Sequence, residues 1–165
     1  MTKVFNTKWF NITKFNYGKS EYYKLNQSEG IVILPLTKKN ELILIQQYRP
    51  CLKKKTIEFP AGSLEKNETI LNCAKRELLE ETGYISKNWK LLGSGVLRLE
   101  RENTKNYFFL AKDCQFLKKN EEKNCVKFFG KKEFKRLIKK NEFDHIAATV
   151  SLIWAKEKYN INFID

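Results

Sequence analysis

Apolar and polar positions along the 165 residues follow two rhythms, and each predicts a different kind of element. Residues 4–25 (VFNTKWFNITKFNYGKSEYYKL) alternate aromatic and polar side chains around Tyr17-Gly18-Lys19, which predicts a hairpin or short meander with one buried face. Residues 30–36 (GIVILPL) and 41–47 (ELILIQQ) are too continuously apolar to be exposed on either face. With a turn at 37–40 between them, they predict an antiparallel hairpin in the centre of a sheet. Further strands are expected before Pro60 and at 89–99, 105–112 and 125–129. Helical spacing appears in three places. From about residue 68–70 onward, behind Asn67 or Thr69 as cap, Leu71, Ala74 and Leu78 share one face. Residues 131–140 set Phe134, Leu137 and Ile138 together, and 144–159, capped by Asp144, set Ile146, Val150, Ile153 and Trp154 toward a core. Strands interleaved with helices make this an α/β chain.

The length fits one domain, 1–165, with enough chain for a real core. The formal net charge of +13 points to anionic partners. Its distribution says more. Residues 1–60 carry eleven Lys and Arg against four Asp and Glu, and residues 85–165 carry eighteen against ten. Residues 62–84 reverse the balance, with three against five, so one acidic island lies in a basic chain. Cys51, Cys73, Cys114 and Cys125 form no CxxC pair and no metal-ligand spacing with the single histidine, His145. That predicts reduced thiols and no zinc site. No charged-then-apolar leader opens the chain, and no apolar run reaches the ~18 residues of a membrane span, so the expectation is a cytoplasmic protein away from membranes.

The island reads GSLEKNETILNCAKRELLEETG, from Gly62 to Gly83. On a helix, Glu77, Glu80 and Glu81 share one rim, with Glu77 and Glu81 a turn apart. Like charges this close require counter-charge, and hard divalent cations favour such oxygen ligands. The order Gly62, Glu68, Arg76-Glu77-Leu78, Glu80-Glu81 and Gly83 fills every fixed position of a spaced pattern that resembles the Nudix box, with Tyr84 where an aliphatic residue is usual.

The resemblance implies an α/β/α sandwich with a mixed central sheet, a box at 62–84 and magnesium or manganese as cofactor. It implies metal ligation by the Ala61 carbonyl, Glu77 and Glu81, with Gly62, Glu68 and Gly83 supporting the box. Arg76, about 100° round the helix from Glu77, would orient the carboxylates. The phrases Gln46-Gln47-Tyr48-Arg49-Pro50 and Glu58-Phe59-Pro60-Ala61-Gly62 are similar to those of the ADP-ribose pyrophosphatase branch, which implies substrate contacts for Arg49 and Glu58. A glutamate from the charged loop 117–124 would serve as ligand or general base. Glu122 fits best, Glu121 follows, and Glu80 is the candidate if neither acts. Residues 1–28 would be an N-terminal β extension outside the core domain, and Lys8-Trp9-Phe10 resembles the part of that branch that packs against a partner subunit, implying a homodimer. The branch's proline after the box is replaced by Leu99, and its Ser-x-Glu phrase is absent from the linker 100–104. The implied reaction is hydrolysis of a nucleoside diphosphate sugar, led by ADP-ribose, to AMP and ribose 5-phosphate. The alternatives are a Nudix hydrolase of nucleoside triphosphates, dinucleotides or RNA caps, favoured only by the basic charge, and a non-catalytic binding module. His145 reads as a cap-region residue rather than a base.

Overall fold

A computed structural model describes residues 1–122 and 124–165. The apolar runs become strands β4 (Gly30–Thr37) and β5 (Leu42–Arg49), preceded by β1 (Thr2–Asn6), β2 (Phe10–Tyr17) and β3 (Ser20–Gln27). After them come β6 (Lys54–Glu58), β7 (Ala61–Ser63), helix α1 (Ile70–Thr82), β8 (Tyr84–Ile85), β9 (Asn88–Val96) and β10 (Lys105–Phe116). Strand β11 (Cys125–Phe129) and helices α2 (Lys131–Lys139) and α3 (Ile146–Tyr159) complete the chain. The larger sheet runs β11-β5-β4-β10-β8, with β6 against β5, β7 against β4 and β9 against β10. Strand β4 is parallel to β10, while its pairings with β5 and β7 are antiparallel, so the sheet is mixed.

The continuous hydrophobicity of β4 follows from its place between two layers. Ile31 and Ile33 face α1 with Ile43, Phe109, Ala74 and Leu78. Val32, Leu34 and Leu36 face the other way, with Leu44, Phe108, Phe134, Leu152 and Ala155. Side chains alternate across a strand, so a β4 apolar on both faces can only be central. The expected α/β/α sandwich is what forms.

Several expectations change. Residues 2–27 form the three-stranded antiparallel meander β1-β2-β3, but neither face is buried in the single chain. Val4, Phe5, Trp9, Tyr17, Tyr22 and Tyr23 are all exposed, and the meander joins the rest near Leu25, whose N–H donates to Arg101 O at 2.8 Å. Of residues 51–55, whose three consecutive lysines predict an exposed loop, Lys54 and Lys55 already pair with Arg49 and Tyr48 in the sheet. Helix α3 buries Ala148, Ser151, Leu152 and Ala155, whereas Ile146 is 81% exposed and Ile153 points outward. Apolar residues lie all round this helix, so periodicity did not fix its phase; Val150 and Trp154 pack against the core as expected, Trp154 edge-on to Phe108, beside the buried Ala148, Leu152 and Ala155. Its start is also later, with His145 rather than Asp144 at the N-cap. Ile138 of α2 is exposed, leaving Phe134 and Leu137 as that helix's core contacts.

Candidate active site

Helix α1 is bounded by local chemistry at both ends. Thr69 Oγ1 accepts from Asn72 N at 3.2 Å, which answers one free amide of the first turn. Gly83 ends the helix at φ 79°, in the left-handed region, and donates its N–H to Leu79 O. A Cβ there would also lie 2.0 Å from Lys118 O, so the loop after β10 can press against the helix end only because residue 83 is glycine.

The helix presents its acidic rim to β7. A Cβ on Gly62 would fall 1.9 Å from the Glu77 carboxyl carbon, so this glycine is the seat of that carboxylate. Glu81 accepts from the Ala61 N–H at 2.7 Å. Both acids are buried, Glu77 to 7% exposure and Glu81 to 3%. Burial, reinforced by the charges of Glu122 and Glu77, pushes the Glu81 carboxyl up to about 8 against the pull of the Ala61 amide. Burial likewise raises Glu77 above the ordinary range, with Arg76 acting in the opposite direction.

Arg76 is the only cation bonded to this rim among the described residues. Its Nη1 donates to Glu77 Oε1 at 2.8 Å and to Glu80 Oε2 at 3.1 Å. Its Nε and Nη2 hold Glu68 at 3.0 and 2.9 Å, and Nη2 also reaches the Ser63 carbonyl. These bonds bring Glu68 down to about 2 and raise Arg76 above its usual value. Of the three rim carboxylates, Glu80 therefore turns toward Arg76 and stays partly exposed, while Glu77 and Glu81 turn inward toward Gly62 and Ala61.

The loop after β10 is tied to the end of α1 rather than hanging free. Leu117 N donates to Gly83 O, Glu121 N to Glu80 O at 2.8 Å, and the Asn120 side-chain amide to Glu81 O at 3.2 Å. Glu121 pairs outward with Lys118. Glu122 accepts from Asn124 Nδ2, and its charge adds to the rise of both Glu77 and Glu81.

Arg49 and Glu58, both read as substrate contacts, face each other across β5 and β6. Arg49 Nε donates to Glu58 Oε1 at 2.8 Å and Nη2 to Oε2 at 2.5 Å, a two-pronged pair that Thr56 completes. Burial raises Glu58, but the Arg49 and Thr56 bonds outweigh it and leave the carboxyl below its usual range. The pair reads as a preset fork at the rim, with Arg49 half exposed.

The donor set suits a hard divalent cation. Two buried carboxylates with raised proton affinity lie beside a backbone turn, and the nearest cation, Arg76, is shared between Glu77 and four other oxygens. No three acidic, His or Cys side chains among the described residues form a complete cage, so the helix itself offers two buried carboxylates.

Comparison with known proteins bears on the same residues. A family model described as the NUDIX domain matches residues 27–151. The ADP-ribose pyrophosphatase of Bacillus subtilis (strain 168) is 39% identical over 71 residues, covering 42% of this chain and 38% of that protein. The methanol dehydrogenase activator of Bacillus methanolicus is 44% identical over 55 residues, covering 33% of this chain and 30% of its own length. The chain thus spans less than half the length of these relatives. A crystal structure of an ADP compounds hydrolase superposes with a TM-score of 0.80 at 19% identity, over 94% of this chain and 89% of that one, which is a likeness of fold.

Proposed function

The chain belongs to the Nudix family, and on that premise we propose that it hydrolyses the pyrophosphate bond of a nucleoside diphosphate sugar, ADP-ribose first, releasing AMP and ribose 5-phosphate. The observation that carries this is the pair Glu77 and Glu81, buried against Gly62 and Ala61 with raised proton affinity and, among the described residues, no bonded cation but Arg76. A stability-driven sequence would not keep two carboxylates there, since burying charge without full compensation is costly.

Glu77, Glu81 and the Ala61 carbonyl would hold the magnesium or manganese ion. When bound, such an ion neutralises pyrophosphate charge and makes water a better nucleophile at neutral pH. Arg76 keeps Glu77 and Glu80 oriented and ties Glu68 to the turn, so the rim is preorganised. Glu122, whose charge acts on both buried carboxylates, would accept a proton from the attacking water as general base. Glu80 is the alternative base, less favoured because Arg76 already engages it. Arg49, held by Glu58, presents its exposed side to a phosphate oxygen.

The exposed aromatics of the meander support a homodimer, with residues 4–25 in the interface, because a patch of this kind is uncommon on a stable monomer. All four cysteines are free, which fits a reducing, cytoplasmic setting.

The test is product analysis after incubation with magnesium and ADP-ribose, beside nucleoside triphosphates, dinucleotides and capped RNA. AMP and ribose 5-phosphate in equal amounts are expected. Preferential release of a monophosphate from a triphosphate, or decapping, moves the chain to another branch of the family.

A further inference from the structure

Two buried polar side-chain atoms among the described residues lack a hydrogen-bond partner, Asn106 Nδ2 and His145 Nδ1. They come from distant segments, strand β10 and the start of α3, yet both residues line one cavity of about 440 Å³. Ala61, Gly62 and Ser63 line it too, so it abuts the turn that seats the buried carboxylates. The volume suits part of a small-molecule substrate.

The fold makes room for the Asn106 amide. Residue 30 faces it across β4 and β10, and a Cβ there would lie 2.2 Å from Asn106 Oδ1. Asn106 is only 9% exposed and precedes the apolar run Tyr107-Phe108-Phe109-Leu110. An amide left unanswered at such a site destabilises the protein, and an apolar side chain of similar size would not. His145 is the chain's only histidine. Burial lowers its proton affinity, the nearby Glu58 and Arg49 charges act in opposite directions, and the ring is neutral at pH 7 with one donor and one acceptor nitrogen. Among the described residues no carboxylate lines the cavity, and Lys8 is its single charged side chain. A ligand group that both donates and accepts answers an amide and a neutral imidazole together. Hydroxyls do this, and a sugar supplies several on adjacent carbons.

We infer that Asn106 and His145 read the hydroxyl groups of a substrate sugar lying in this cavity, and so set the enzyme's specificity beside the bond it cleaves. This rests on the nucleotide-sugar reading above and adds the residues that choose the sugar. Both product halves carry a ribose, so the shared chemistry is the ribosyl hydroxyl, and the experiment must tell the two apart.

The experiment measures product binding to the metal-free full chain by calorimetry, together with thermal unfolding. The probes are AMP against 2′,3′-dideoxy-AMP, and ribose 5-phosphate against 2-deoxyribose 5-phosphate. In the wild type, one pair is expected to show a preference for the hydroxylated member. Asn106→Leu should cut that preference by about 5–10-fold while raising Tm by about 2–4 °C, and His145→Leu should cut it likewise. Asn106→Ala serves if the leucine variant does not fold. The pair that loses discrimination identifies which half of the substrate occupies the cavity. Unchanged discrimination in both pairs, a lowered Tm with unchanged affinities, or a wild type that binds none of the four probes overturns the inference. A wild type that discriminates as expected but leaves ADP-ribose intact overturns the proposed reaction alone, because no probe requires turnover.

Discussion

The acidic rim of α1 and the N-terminal meander both break an ordinary rule of protein surfaces and interiors, in opposite directions. The rim buries charge: Glu77 and Glu81 sit at 7% and 3% exposure with raised proton affinity. The meander exposes apolar surface, with Trp9 at 71%. Each irregularity needs something from outside the single chain. On the proposed reading it is a divalent cation and a polyphosphate for the rim, and a covering surface for the meander. The rim is also tightly specified by neighbours, down to a glycine that leaves no room for a methyl group. The meander is held to the rest near one junction, where Leu25 meets Arg101 and Gln27 Nε2 donates to the buried Glu102 at 2.9 Å. Substitutions in the rim should therefore abolish chemistry, and substitutions in the meander should alter association.

The largest effect is expected from Gly62→Ala. The added methyl falls where the Glu77 carboxylate stands, so the carboxylate must leave its seat. A loss of kcat on the order of 100-fold is expected from displacing a ligand or its support, with far-ultraviolet circular dichroism unchanged. Turnover within a few-fold of wild type would remove Glu77 from the site.

A comparable effect is expected from Glu122→Gln. Loss of a general base costs typically about 100-fold or more in kcat, with KM changed far less, because the proton moves only on the way to the transition state. Glu121→Gln, whose carboxylate faces Lys118, should change kcat little. The reverse ranking would give the role to Glu121, and silence in both would give it to Glu80.

A smaller effect separates Arg76's charge from its bulk. Glu68 is held at about 2 by Arg76, so its folded value lies below its ordinary one. The stability this confers is fully present above the ordinary carboxylate range, near pH 4.3, and is lost as pH falls toward 2. Arg76→Met should thus destabilise the protein at pH 7, with the gap to wild type closing between about pH 4.3 and 2. Equilibrium urea unfolding across that range checks the sign; a gap that widens in acid would contradict the assignment.

The smallest effect on the fold, and the clearest on assembly, is expected from Phe5→Ser with Trp9→Ser. Exposed sites usually shift stability by no more than about 0.5 kcal/mol, so the unfolding of the separated chain should barely move. Sedimentation at micromolar concentration should pass from dimer to monomer. A wild type that already sediments as a monomer would mean that these aromatics cover no second copy.

Much of this was legible in the sequence because the strongest signals were local. The box spacing lies in one helix and its flanking turns, and the two-faced apolarity of β4 requires a central strand wherever the chain goes. What stayed hidden depended on contacts between distant segments. The phase of α3 was ambiguous because apolar residues surround it, and the sheet selected Ala148 and Ala155 over Ile146. The loop from Leu117 to Glu122 carried no apolar anchor, so its attachment through backbone bonds to Gly83 and Glu80 left no trace in side-chain pattern. Asn106 was missed as a site residue, although a polar residue opening an apolar strand was a usable signal. His145 passed as an ordinary cap because its neighbours Arg49 and Glu58 lie about ninety positions away in the chain.

The central claim is that the buried carboxylates of α1 serve catalysis and not the fold, and Glu81→Gln tests it most directly. Glutamine keeps the volume and the oxygen that accepts from Ala61 N–H, and removes the charge. Parallel measurement of ADP-ribose turnover at saturating magnesium and of thermal unfolding without metal is expected to show kcat lower by on the order of 100-fold, with Tm equal to or above that of the wild type. Wild-type turnover, or a Tm that collapses together with activity, would contradict the account.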